Sequence, residues 1–179
     1  MAVRYIAFLR AVNVGGRVVK MPVLKKAFES LHLSNVETFI ASGNVVFETA
    51  ASDVLKMERK IEARLREALG YDVTTFVRSV TEVSAIARLA PFPQSALTNG
   101  AQIYVGFLSG QPGKPERQRL MSLANEIDDF HVTKREVWWL CRKDLATRSG
   151  GPPFEKVLGL RVTFRNARTV TRIAEKYCQ

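Results

Sequence analysis

The sequence predicts an α+β protein made of two ferredoxin-like modules packed together, each a split βαβ (α/β-plait) sheet with helices on one face. Three observations lead there. Short runs of β-formers alternate with longer stretches of helical period. In the first half they follow the order β-α-β-β-α-β, and the second half repeats that order imperfectly. A chain of 179 residues has room for two such modules, and its 46% apolar content supplies a core.

In the first module, Arg4 to Leu9 reads as a short buried strand. Pro22 is a first-turn proline, and Val23, Leu24, Ala27, Phe28 and Leu31 then recur at helical spacing up to His32. Val36 to Ala41 and Val45 to Phe47 read as two strands, joined by the turn-forming trio Ser42-Gly43-Asn44. Asp53 is placed to cap a helix whose apolar stripe is Val54, Met57, Ile61, Leu65 and Ala68, and Gly70 is placed to stop it. Asp72 to Arg78 alternates as the fourth strand.

The expected boundaries are residues 1–79 for the first module, 80–100 for a helix and linker, and 101–179 for the second module. The linker contains the helical stretch Val80 to Leu89, then Ala90-Pro91-Phe92-Pro93 and Thr98-Asn99-Gly100. Beyond it, Ile103 to Leu108 is a strand and Glu116 to Asn125 a helix. Phe130 to Thr133 and Val137 to Cys141 are strands about the basic turn Lys134-Arg135. A loop with Gly150, Gly151, Pro152 and Pro153 follows, then a strand from Val162 to Phe164 and a helix from Ala167 to Tyr177.

The formal charge of +10 is concentrated late in the chain. From His131 onward eleven Lys and Arg face four Asp and Glu, which accounts for +7 of the total. Such a bias favours polyanions and phosphorylated ligands, against the plainer reading of a solvated basic surface. No run approaches the ~20 apolar residues of a membrane span, and the strand pattern bracketed by Arg4 and Arg10 is unlike a signal peptide. The reading is therefore cytoplasmic, with no membrane partner. Cys141 and Cys178 are too few for a disulfide framework and too far apart for a metal knuckle; Cys141 reads as a packed thiol and Cys178 as a frayed one.

Two segments stand out, Tyr5-Ile6-Ala7-Phe8-Leu9-Arg10-Ala11-Val12-Asn13-Val14-Gly15-Gly16 and Phe39-Ile40-Ala41-Ser42-Gly43-Asn44-Val45-Val46-Phe47. Together they resemble the signature of the bacterial "domain of unknown function 1697" family. Pro91-Phe92, Ser149, Arg165-Asn166 and Thr169-Val170 resemble it further along. The chain departs from the pattern at Ala11, at Ala167 and at Gly150 after Ser149. The resemblance implies a pair of ferredoxin-like modules. It implies no activity, cofactor or catalytic residue.

The residues themselves offer two candidate anion sites. The first combines Arg10, Asn13, Gly15, Gly16 and Lys20 with Ser42, Gly43 and Asn44. Glycines permit close backbone approach, a loop entering a helix can aim N–H groups at a phosphate, and Arg adds a bidentate fork. In an antiparallel split βαβ sheet the end of the first strand meets the start of the third, so Arg10 and Asn44 should be neighbours. The plain alternative is a tight β-to-α connection beside a polar turn. The second candidate is Arg165, Asn166 and Arg168 at a strand-to-helix junction, where Asn166 serves equally well as an N-cap.

Catalysis has weaker support. Ser42 lacks the surroundings of a nucleophile. His32 and His131 fit no metal-ligand spacing, so no metal or other cofactor is expected. Adjacent Trp138 and Trp139 should face opposite sides of a strand, one in the core and the other exposed or at an interface; an exposed one could stack a base among Lys134, Arg135, Arg142 and Lys143, against the plainer reading of packing. The leading expectation is a binding protein for nucleic acid or a nucleotide-like anion. The alternatives are a small-molecule enzyme with its site between the modules and a protein-interaction scaffold.

Overall fold

The computed structural model describes residues 1–10, 12, 18–40, 43–97, 100–143, 145 and 150–178. Asn13, Gly15, Gly16, Ser42 and Ser149 lie outside them. Among the described residues the chain has a mixed α+β fold with two four-stranded antiparallel sheets and six helices. It divides into two compact units. One comprises Met1–Ala85 together with Ile173–Gln179, the other Ile86–Arg172.

The first unit runs β1 (Val3–Leu9), α1 (Met21–Glu29), β2 (Ser34–Thr38), β3 (Asn44–Thr49), α2 (Val54–Leu69), β4 (Thr75–Ser79) and the start of α3 (Val80–Arg88). Its sheet order is β2-β3-β1-β4. Alternation sends Tyr5, Ala7 and Leu9 of β1 into a core with Leu24 and Phe28 of α1, Phe47 of β3, and Ile61 and Leu65 of α2. Ile6 and Phe8, on the opposite face of β1, are equally buried. Burial of both faces explains why β1 is a continuous apolar run rather than an alternating one.

The cap on α2 is as the sequence predicts. The Asp53 carboxylate accepts from the Lys56 N–H at 2.9 Å, and Gly70 ends the helix with φ +78°. The first hairpin is shifted. β2 ends at Thr38, short of the expected Ala41, which lies outside the described residues; Ile40 already adopts φ +58°, which a strand does not accommodate.

The second unit runs from the end of α3 through a 3₁₀ turn (Gln94–Ala96), β5 (Gln102–Leu108), α4 (Lys114–Met121), β6 (Asp128–Val132), β7 (Glu136–Cys141), α5 (Phe154–Leu158), β8 (Val162–Asn166) and most of α6 (Ala167–Tyr177). Its sheet order is β6-β7-β5-β8, the same arrangement as in the first unit. Five-residue α5 is the element that periodicity does not reveal, being barely longer than one turn.

The repeat holds residue by residue. Tyr5-Ile6-Ala7-Phe8-Leu9 of β1 corresponds to Tyr104-Val105-Gly106-Phe107-Leu108 of β5. Tyr5 faces Phe47 and Ser79 where Tyr104 faces Trp139 and Asn166. On that register Arg78 of β4 matches Arg165 of β8. Both are buried, and each donates from Nη1 to the carbonyl of the residue before it, at 2.9 Å in both cases.

Candidate functional site

The C-terminal end of β1 meets the start of β3. Phe8 pairs with Asn44, and the Leu9 N–H donates to the Gly43 carbonyl at 2.7 Å. Arg10 follows at once, half-buried, its N–H donating to the Thr74 carbonyl at 2.9 Å. Gly43 is required here for two reasons: its positive φ, and a close approach in which a Cβ would lie 3.2 Å from Leu9 and 3.3 Å from Val12. Asn44 is 1% exposed. Its amide donates to the Phe39 carbonyl at 3.0 Å, and the Phe39 N–H donates to the Asn44 carbonyl at 2.9 Å. Asn44 thus closes the corner on itself, while exposed Ile40 takes a left-handed backbone that β-branched residues rarely adopt.

The structure therefore brings Arg10, Gly43 and Asn44 together. Lys20, also in the predicted set, is exposed at the N-cap position of α1, without a side-chain cap bond. The first turn of that helix holds no acidic residue. The strained backbone at Ile40 escaped the sequence reading, since an isoleucine carries no turn signal.

The second candidate set divides. Arg165 points inward at 8% exposure, donating to the Thr163 hydroxyl at 3.0 Å and the Phe164 carbonyl at 2.9 Å. Burial lowers its pKa to about 10. Asn166 accepts from the Arg168 N–H at 2.9 Å and donates to Gln102 at 2.9 Å, the geometry of a helix cap tied to the neighbouring strand. Arg168 is exposed, on the rim of a cleft with Gln102 and Asn166.

Both tryptophans are buried, Trp138 at 3% and Trp139 at 5% exposure, which bears out the packing reading and leaves neither facing solvent to stack a base. Alternation does place them on opposite faces, but both faces of β7 are covered. The Trp139 indole donates to Asp128 at 2.7 Å, so the Asp128-Asp129-Phe130-His131 segment spends its first carboxylate on structure. Among the described residues no group of three or more His, Cys, Asp or Glu could hold a metal ion. Cys141 is buried, its thiol donating to the Lys143 carbonyl at 3.0 Å; burial also raises the pKa of Cys178. No helix of the described residues is long and apolar enough to cross a membrane.

Among solved structures, the chain is similar to the conserved bacterial protein SP0830 from Streptococcus pneumoniae. The TM-score is 0.74 and the identity 22%, over 98% of each chain. At that identity the likeness is one of fold and indicates no specific function. None of the curated proteins matches the sequence. The family described as "Protein of unknown function (DUF1697)" matches residues 2–138, most of the chain. The chain therefore belongs to the DUF1697 family, whose function is unknown.

Proposed function

We propose that this protein is a cytoplasmic, non-catalytic binding protein for a phosphate-bearing anion, nucleotide-like or part of a nucleic acid, held at the C-terminal end of β1. We read its two halves as ferredoxin-like modules, residues 1–79 and 101–179 joined by 80–100. The strand orders β2-β3-β1-β4 and β6-β7-β5-β8 support that reading.

The observation that carries the site is a contrast between the two units at matching positions. Leu9 bonds Gly43 as Leu108 bonds Arg135, and Phe8 faces Asn44 as Phe107 faces Glu136. The Arg10 N–H meets the Thr74 carbonyl as the Ser109 N–H meets that of Arg161. The frameworks match but the chemistry differs. The first unit has half-buried Arg10 beside Gly43, with the buried Asn44 amide turned to the Phe39 carbonyl and no carboxylate at these positions. The second presents Ser109, Arg135 and a carboxylate, Glu136, which repels an anion. The end of β1 is therefore the better anion site, and the strained backbone at Ile40 is the kind of feature retained at binding corners.

Burial of both tryptophans removes the aromatic platform for base stacking, which favours recognition of phosphate over recognition of bases. The basic excess after His131 supports weak contact with RNA or DNA as a second mode.

The test is titration of pyrophosphate, ATP and a labelled oligonucleotide at about 50 and about 200 mM salt, with melting curves of the same samples. The expected result is binding that weakens with salt and is lost in Arg10→Ala while the melt is unchanged. No binding at low salt, or binding that survives Arg10→Ala, removes the proposal.

A further inference from the structure

We propose a second binding site in the first unit, a cleft that takes a small amphiphilic carboxylate, between the residues that follow α1 and the first turns of α2. The cleft has a volume of about 440 Å³, within the range of small-molecule sites. Its apolar wall is formed by Leu31 and Leu33 from the connection into β2 and by Met57 and Ile61 from α2. Its cationic rim is Lys56 and Lys60, with the imidazole of His32 beside them. An apolar wall with a few charged groups at one edge is the usual composition of a site for a ligand with an apolar body and a single anionic head.

The charged lining of the cleft sets two lysines, Lys56 and Lys60, against a single acid, Asp53. Lys56 and Lys60 stand one turn apart on α2, a like-charge spacing that destabilises a helix. Neither ammonium group has a hydrogen bond or ion pair among the described residues. Further along the same helix Arg64 pairs with Glu67, and Arg66 with Asp72. Asp53 is the acid lining the cleft, and one of its carboxylate oxygens is held by the Lys56 N–H as the helix cap. The N-terminus of α2 is thus already capped, and the attraction for an anion comes from the side chains. His32 reaches the rim because its backbone is left-handed, φ +60°, where the chain turns from α1 towards β2. The wall is firm, since Met57 and Ile61 are also members of the core.

A carboxylate on an aliphatic chain satisfies both parts. Its head sits between the two ammonium groups, and its tail covers Leu31 and Leu33, which the fold leaves half-buried. The end of β1 plays no part, so this site stands or falls independently of Arg10.

Decanoate, with decanol as its neutral counterpart, is titrated into the intact protein below micellar concentration and followed by methyl and backbone NMR. Decanoate is expected to shift Leu31, Leu33, Met57 and Ile61 together and to bind more tightly than decanol. The double variant Lys56→Gln/Lys60→Gln, on an exposed helix face, is expected to weaken decanoate about tenfold, the combined effect of two exposed ion pairs. Its affinity for decanol should stay the same, which separates loss of charge from loss of the cleft. The proposal is overturned if decanoate and decanol bind alike, if the shifts fall elsewhere, if the double variant binds decanoate as the parent does, or if millimolar decanoate leaves the spectrum unchanged.

Discussion

The phenol of Tyr177, the last residue of α6, donates a 3.0 Å hydrogen bond to the carboxylate of Glu37 on β2. Its ring meets Phe39 edge-on at 5.8 Å, and Phe39 is the residue whose backbone Asn44 holds. The Lys176 ammonium sits 3.7 Å from the same carboxylate and 5.7 Å from the Phe39 ring. The end of α6 therefore fastens the strand that leads into the Gly43 corner. Tyr177→Phe should cost about 1 kcal/mol, the value of one hydrogen bond. Tyr177→Ala, which also empties a buried site, should cost about 3–5 kcal/mol. Denaturant melts of the two variants measure the difference; equal effects would mean that the ring contributes nothing.

Gly106 has no room for a side chain. A Cβ there would lie 2.6 Å from Phe164, 2.7 Å from Val137 and 2.9 Å from Val162. Gly106→Ala should destabilise by about 1–3 kcal/mol through overpacking. At the matching position in the first unit an alanine, Ala7, is fully buried, so Ala7→Gly probes the same place from the other side. It should cost about 1 kcal/mol from lost strand entropy and packing. Calorimetric melts of both variants check the pair, and a neutral Gly106→Ala would contradict the packing described for the second sheet.

Glu48 on β3 accepts from Asn35 at 2.7 Å and from Arg4 on the facing strand at 2.9 and 2.8 Å. The Asn35 amide first, then Arg4, hold its carboxyl below the usual glutamate range. With a depressed folded pKa, the stabilisation is present above the unfolded value and fades as pH falls through the folded one. Glu48→Gln should therefore melt below the parent near pH 7 and converge with it near pH 3. A gap independent of pH would assign the effect to packing.

The two arginines of the second candidate set should behave as opposites. Arg168→Ala changes an exposed residue and should stay within about 0.5 kcal/mol of the parent. Arg165→Ala removes a buried side chain that bonds Thr163 and Phe164, and should cost about 2–5 kcal/mol. Equal melts for the two variants would place Arg165 outside the folded core.

Much of this architecture was legible in the chain. The Asp53 cap, the Gly70 stop, the apolar run of β1 and the meeting of Arg10 with Asn44 all follow from local chemistry and strand geometry. What escaped has a physical reason in each case. Five-residue α5 is too short to show a period. The hairpin ends early because Ile40 sits at positive φ, and an isoleucine gives no warning of that. Which of Trp138 and Trp139 is covered could not be read, because alternation along a strand says which face a residue takes but not whether the face is covered. From the sequence Arg165 joins Asn166 and Arg168 in a candidate anion site, and only its burial and its bonds to Thr163 and Phe164 show it as an interior tie. Of the site residues proposed from sequence, Arg10, Gly43 and Asn44 converge, whereas the cleft beside Lys56 and Lys60 was invisible. Its wall and rim come from two segments that periodicity treats separately, one as core and the other as solvated helix face.

Ile173 and the residues after it belong to the unit that begins at Met1. During synthesis the amino-terminal half emerges first and would ordinarily fold first. Here it waits, because the strap that closes over Phe39 is made after the whole of the second unit. Until Lys176 and Tyr177 have emerged, β2 lacks its covering tyrosine and Glu37 lacks both of its partners. The half of the protein that is translated earliest is thus completed only after the other half has been made, and a chain stalled before Ile173 carries both sheets but an unfinished first unit.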